Sequence, residues 1–300
     1  PNNPTSDNDA ALDHTPHNVD ETHNEQVITG HDPYGQTIMP TPGAPVDLND
    51  YETSYVGRYR WRLLRNELYD LRKRIYRLQE MLHAQKAFSL LIVFQAMDGA
   101  GKDSMVKQVV DTLNPMQVKI AHFRKPSAEE AQYDFLWRVH RAVPPKGYVG
   151  FFNRSHYEDV LVTRVNDLEP EGIWRPRYQH INNFEHMLVD SGTCILKFFL
   201  HISKDEQKKR FQARLDNPSK HWKFSQDDFS VREQWDAYMQ AYSDAITHTN
   251  TELAPWHIVP ADTKWYRNYI IFRTIAQALE GLPLAFPEPA VDVDDLYIPD

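Results

Sequence analysis

The chain has a single cysteine in 300 residues, Cys194, which excludes an internal disulfide framework and any cysteine-cluster metal site. It also lacks a long apolar run. The stretch Leu90–Phe94 with its flanks falls far short of the roughly 20 residues that a membrane helix needs. No stretch near the start pairs basic residues with an apolar core, so a secretory leader is not expected and a reducing, cytoplasmic setting fits best. Basic residues are missing from both ends. Residues 1–50 hold nine Asp or Glu and no Lys or Arg, and residues 274–300 hold six acids and again no Lys or Arg.

The net charge of −9 therefore misdescribes the middle of the chain. All 33 basic residues lie between 51 and 273, against 27 acids, a surplus of +6 flanked by two acidic ends. A local surplus of this sign steers anionic ligands even when the whole chain is negative. Residues 1–46 are rich in Asn, Asp, Thr, His and Pro without apolar periodicity and read as an acidic, mostly irregular arm. Residues 47–285 read as one domain, and 286–300 as an acidic tail punctuated by proline.

Within the domain, Leu64, Leu68, Leu71, Ile75, Leu78 and Leu82 recur at threes and fours, predicting a helix over about 55–86 with one buried face. Eight basic residues from Arg58 to Arg77 share this segment. Five strands follow, predicted at 88–95, 117–123, 148–152, 193–201 and 256–259, alternating with helices. The first is a continuous apolar run, as in strands buried on both faces of a parallel sheet. Ser127 with Glu130 three residues on forms a capping-box pattern for a helix to about Val143, and Ser203 caps another from Lys204. Helices are also expected at 176–190, after the polar stretch 217–228 up to about 247, and at 263–280. Such alternation predicts an α/β fold with a mostly parallel five-stranded sheet covered on both faces. Ligands then bind beyond the carboxyl ends of the strands.

The first strand runs into Ala96-Met97-Asp98-Gly99-Ala100-Gly101-Lys102-Asp103-Ser104 and then a helix. Small residues let backbone N–H groups turn toward an anion, the helix N-terminus adds positive character, and Lys102 is placed to reach a transferable phosphate. The usual pattern is G-x-x-x-x-G-K-(S/T). Here Ala96 replaces the first glycine, and Asp103 replaces the hydroxyl that holds magnesium. A carboxylate in an anion-binding loop is costly unless a cation lies between, so Asp98 and Asp103 are the candidate Mg²⁺ contacts, with Mn²⁺ as the alternative. The third strand ends in Asn153-Arg154-Ser155-His156-Tyr157-Glu158-Asp159. Asn153 takes the strand-end place where an acid commonly holds magnesium, with Glu158 and Asp159 about a helical turn later. Arg154 is placed to bridge donor and acceptor phosphates, as arginines do in phosphoryl transfer.

Five ordered blocks, FQAMDGAGKD at 94–103, FNRSHYEDVLVTRV at 152–165, ILKFFLHISKDEQKKR at 195–210, RLDNPSKHWKF at 214–224 and APWHIVPADTKWYRN at 254–268, resemble the polyphosphate kinase 2 family. The resemblance implies a P-loop, thymidylate-kinase-like α/β/α sandwich with a helical lid at about 204–250. It implies a transferase that moves phosphoryl groups reversibly between inorganic polyphosphate and AMP or ADP, forming ADP and ATP, with Mg²⁺. It places Asp98 through Lys102 at the reacting phosphates, with Asp98 on the metal, and Asn153 and Arg154 in the second catalytic motif. Glu158 and Asp159 fall on the nucleotide side. Gly99, Ala100, Gly101, Lys102, Asp103 and Ser104 form the phosphate cradle. Arg210, Arg214, Lys220 and Lys223 are candidate lid contacts for the polyanion. Ser104 departs from the glycine common in relatives. A homo-oligomer is implied; nucleic-acid and membrane partners are not. An ATP-dependent nucleoside monophosphate kinase shares the loop, sheet and lid, and is distinguished by which donor it accepts.

Overall fold

The computed structural model describes residues 39–56, 61–223, 226–291 and 297. Most of the expected arm, together with Arg58 and Arg60, lies outside them. The described part, 39–46, is irregular chain held to the domain: Asn250 Nδ2 donates to the Pro40 carbonyl at 2.7 Å and the Val46 N–H donates to Thr247 Oγ1 at 2.8 Å.

The elements are α1 (Trp61–Gln85), β1 (Ser89–Gln95), α2 (Lys102–Val110), β2 (Val118–His122), α3 (Trp137–Ala142), β3 (Val149–Asn153), α4 (Glu158–Val165), α5 (Glu171–Trp174), α6 (Arg177–Asp190), β4 (Thr193–His201), α7 (Lys204–Leu215), α8 (Gln226–Glu233), α9 (Trp235–Thr249), β5 (Trp256–Pro260) and α10 (Lys264–Glu280). All strand pairs are parallel, in the order β2-β3-β1-β4-β5. This is the expected five-stranded parallel sheet. Every residue of β1, β3 and β5 is buried, which is why these segments are largely apolar. β2, at the edge, alternates between half-buried and exposed residues.

Helices cover both faces. α1 packs on α10, joined also by an Arg74–Glu280 ion pair, and α10 reaches α2 through Asn268 Nδ2 donating to Gln108 Oε1 at 2.8 Å. On the other face α9 packs on α4 and α6, and α3 meets α6 through the His140 and Phe184 rings. The result is a three-layer α/β/α sandwich.

Two expectations change. The capping box is present, with the Ser127 N–H donating to Glu130 Oε2 at 2.8 Å and the Glu130 N–H donating to Ser127 Oγ at 3.2 Å. It starts only a 3₁₀ turn, Glu130–Gln132, because Asp134 Oδ1 accepts the Leu136 N–H at 2.9 Å and resets the chain before α3. The segment expected as lid, 204–250, is also not uniform. α9 is a core helix that buries Tyr238, Ala241, Tyr242, Ala245 and Ile246, whereas the 3₁₀ turn Pro218–Lys223 is exposed in its described residues.

Candidate active site

The chain leaves β1 at Gln95 and turns through Ala96–Gly101 into α2. Gly99 and Gly101 take positive φ, +86° and +101°. At Gly101 a Cβ would also lie 2.3 Å from Arg267 Nη1, so both backbone and space require glycine there. Ala96 stands in the place of the pattern's first glycine, but its backbone is not left-handed, and its side chain is buried without strain. Lys102, 8% exposed, folds back over the loop. Its Nζ donates to the Ala96 carbonyl at 2.6 Å and lies 3.5 Å from Asp98 Oδ1. Burial lowers its pKa, against the opposing pull of Asp98.

β3 pairs with β1 so that Asn153 lies opposite Phe94, and the next N–H, of Arg154, donates to the Phe94 carbonyl at 3.2 Å. Arg154 adopts φ +60°, a left-handed conformation that costs a non-glycine residue about 1–3 kcal/mol. Ser155 Oγ holds the bend by accepting from Gln95 Nε2 at 3.0 Å and from the Tyr157 N–H at 3.2 Å. The bend aims Arg154 Nη2 at Asp98 Oδ1, 3.0 Å away. One residue earlier, Asn153 Nδ2 donates to Asp103 Oδ1 at 2.5 Å. The fold thus brings Asp98, Lys102, Asp103, Asn153 and Arg154 together at the carboxyl ends of two adjacent strands. Burial would raise the Asp98 pKa, but Lys102 and Arg154 outweigh it and hold the carboxyl below its ordinary range. Glu158 is pushed the other way, chiefly by burial, with Arg154 and Lys102 opposing and Asp98 adding to the rise.

Other expected residues sit differently. Ser104 is exposed and accepts from Gln108 Nε2 at 3.3 Å along the helix. Asp159 is engaged by Arg138 Nη2 at 3.2 Å, and Arg138 lines a cleft of about 330 Å³ with His122, Phe123, Arg124, Lys125 and Glu130. Arg210 lies against the loop, but on its carbonyl side: Nη1 donates to Ala100 O at 2.9 Å and Nη2 to Ala261 O at 2.6 Å. Arg214, half-buried, lies over the Phe211 ring at 5.3 Å. Lys220 is exposed, and the Lys223 side chain lies outside the described residues.

Several site residues escaped the sequence reading. Gln207 Nε2 donates to the Asp98 carbonyl at 2.7 Å, and Tyr242 Oη donates to the Ala96 carbonyl at 3.1 Å. Arg267, 2% exposed, donates from Nη1 to Ala100 O at 2.9 Å. Beneath the second motif, Lys197 Nζ donates to Glu185 Oε2 at 2.6 Å, Tyr157 Oη at 3.0 Å and Thr249 O at 2.7 Å. Tyr157 Oη donates to Glu185 Oε1 at 2.8 Å, and His156 Nε2 lies 3.2 Å from the same oxygen. A lysine inside the apolar strand ILKFF was the available signal, because a buried charge requires a partner.

Among the described residues no cluster of three or more His, Cys, Asp or Glu side chains is placed to hold a metal. Asp98 and Asp103 are two hard oxygen donors at the glycine-containing turn between β1 and α2. Mg²⁺ is usually held by one or two carboxylates plus substrate phosphates rather than by a complete protein cage. The donor set fits a divalent cation of that kind, and Mn²⁺ shares the preference for oxygen ligands.

Residues 61–284 match the family model described as Polyphosphate kinase 2. The chain is 50% identical over 228 residues to an AMP/ADP-polyphosphate phosphotransferase of Meiothermus ruber, covering 76% of this chain and 85% of that protein. It is 42% identical over 261 residues to an ADP-polyphosphate phosphotransferase of Rhodopseudomonas palustris, covering 82% and 90%. The crystal structure of polyphosphate kinase 2 from Arthrobacter aurescens TC1 superposes with a TM-score of 0.80 at 41% identity, covering 86% of this chain and 96% of that one. A match that spans the phosphate loop, the strained bend after β3 and the helices around both means that the chain belongs to the polyphosphate kinase 2 family.

Proposed function

We propose that this chain transfers phosphoryl groups reversibly from inorganic polyphosphate to AMP and ADP, forming ADP and ATP. The observation that carries the reading is the convergence of Lys102, Asp98 and Arg154 at the carboxyl ends of β1 and β3. The M. ruber relative, named for both AMP and ADP, supports both acceptors. Phosphoryl transfer needs little covalent help from the protein. Positioning and electrostatic stabilisation dominate it.

In this reading Asp98 and Asp103 hold Mg²⁺ or Mn²⁺. When bound, the cation neutralises the mutual repulsion of the reacting phosphates. Lys102 leaves the Ala96 carbonyl for an oxygen of the transferred group, and Arg154 turns from Asp98 to span donor and acceptor. Asn153 keeps Asp103 oriented, and Glu158 and Asp159 face the acceptor nucleotide. The N–H groups of the first α2 turn, from Lys102 to Ser104, cradle the phosphate with the loop glycines. Arg214 and Lys220 line the path of the polyphosphate chain from the exposed part of the lid, and Arg210 backs the loop. Closure of that part excludes water that would otherwise take the phosphoryl group.

A cytoplasmic setting and self-association belong to the same proposal. Burial pushes the lone Cys194 thiol up to about 11, which keeps it protonated near neutral pH. No described helix is long and apolar enough to cross a membrane. The test offers AMP or ADP with Mg²⁺ and either polyphosphate or ATP as donor, with and without Lys102→Ala. Polyphosphate-dependent ADP and ATP formation that the substitution abolishes is expected. AMP phosphorylation by ATP alone, or wild-type rates from a folded variant, overturns the reading. Sedimentation reports the oligomeric state.

A further inference from the structure

Two arginines lie behind the phosphate loop, and their charges are balanced differently. Arg210 reaches the loop from α7, donating to Gly99 O at 3.3 Å and Ala100 O at 2.9 Å, and its Nε is paired with Glu206 Oε1 at 2.8 Å. Arg267 reaches the same Ala100 carbonyl from the first turn of α10. Its Nε and Nη2 donate to the neutral Asn268 Oδ1 at 3.1 and 2.9 Å. Among the described residues no carboxylate pairs with it. Burial, with Arg210 nearby, lowers its pKa to about 9. A buried cation without a counter-charge is costly, yet the loop is shaped around this one. Gly101 has no Cβ where Arg267 Nη1 would meet it at 2.3 Å. In a trans peptide the carbonyl and the following N–H point in opposite directions. Drawing the Ala100 carbonyl backward therefore turns the Gly101 N–H toward the mouth of the loop.

We propose that Arg267 is a positioning residue whose counter-charge is the phosphate held on the other side of the loop. It fixes the Ala100–Gly101 peptide and supplies the positive charge that the bound phosphate chain neutralises. The proposal rests on the reading of the loop as the phosphate site of this enzyme. It separates Arg267 from Lys102 and Arg154, which touch the reacting atoms; Arg267 acts through one peptide group.

The test compares wild type with Arg267→Gln, which removes the charge but keeps a polar amide, and Arg267→Lys, which keeps the charge but not the fork. Inorganic tripolyphosphate and ADP are titrated separately by calorimetry, and melting is followed with and without each ligand. The Gln variant is expected to lose about 10- to 100-fold in affinity for at least one ligand, the order of a partly buried charge–charge interaction. The Lys variant is expected to lose less. The ligand that loses affinity identifies which phosphate rests on the loop. Without ligand the Gln variant should melt no lower than wild type, while ligand raises its melting temperature less. Unchanged affinity for both ligands in a folded Gln variant, or an equal loss in the Lys variant, overturns the inference. So does failure of both Arg267→Gln and Arg267→Met to fold while the Lys variant folds, because the arginine would then be needed without any anion. A wild-type protein that binds neither ligand overturns the functional reading as well.

Discussion

The Asn153 amide donates to the Asp103 carboxylate at 2.5 Å, tying the end of β3 to the first turn of α2. One oxygen of Asp103 is thereby fixed, and the other is the one that would meet the proposed cation. Asn153→Ala is expected to lower Mg²⁺-supported transfer by about 10- to 100-fold, the value of one hydrogen bond to a charged group. The Mg²⁺ concentration for half-maximal rate should rise with it. A Mg²⁺ titration of ADP formation checks both, and an unchanged titration would show that Asp103 is positioned without Asn153.

Arg154 carries both strain and charge. Arg154→Gly relieves the left-handed backbone, which offsets the roughly 0.5–1 kcal/mol entropic cost of glycine. Thermal stability should therefore change little, while transfer falls by about 10³-fold or more. Arg154→Lys keeps the charge without the planar fork and is expected to lie between. Calorimetric melting and steady-state rates on the same preparations separate the two effects.

Glu158 has a folded pKa above its ordinary 4.5, chiefly through burial. For an acid shifted upward, stability is greatest when the group is protonated and is lost as pH rises through the folded value. Glu158→Gln should then be at least as stable as wild type at pH 7, and that advantage should disappear below about pH 4.5. Melting temperatures across this range test the sign. If the side chain faces the acceptor, KM for AMP should change in the variant while KM for polyphosphate does not.

Lys197 and Glu185 form a buried pair, each no more than 2% exposed. Removing either partner strands the other, at about 3–5 kcal/mol. Lys197→Met with Glu185→Leu should recover much of that loss, although Tyr157, His156 and the Thr249 carbonyl lose partners as well. Burial would raise the Glu185 pKa, but Lys197 and His156 hold it below the ordinary value. Its contribution is accordingly present above about pH 4.5 and lost as pH falls through the folded value, a slope that Glu185→Gln should remove. Denaturant melts at several acid pH values measure it.

The sheet was legible because its strands are short, largely apolar segments bounded by polar turns, and their parallel direction follows from strand–helix alternation; their order was seen only in the folded chain. The phosphate loop was legible despite two departures from pattern, since Lys102 follows two glycines at a strand-to-helix turn. The break at Asp134 was hidden because a sound capping box at Ser127 says where a helix can begin, not how far it runs. α9 fell inside the lid that the resemblance implied, whereas its apolar residues are buried against α4 and α6. Arg267 was hardest, and Arg210, expected to face the polyanion, lies on the carbonyl side of the loop. An arginine on a helix ordinarily reads as solvated, and only the folded chain shows these two turned inward against the same carbonyl.

The pairing of β1 with both neighbours has a consequence for how this protein tolerates change. Phe94 lies level with Asn153 on one side and with Phe198 on the other. The gap between the Lys102 loop and the Arg154 bend is thus set by interstrand hydrogen bonding, about 4.8 Å per step, and no surface loop controls it. Lengthening or trimming the exposed turn at 218–223 leaves that gap intact. Deleting one residue from β3 reverses the pleat and sends Arg154 to the opposite face. Changes of length can therefore accumulate in the turn, and the strand ends admit almost none.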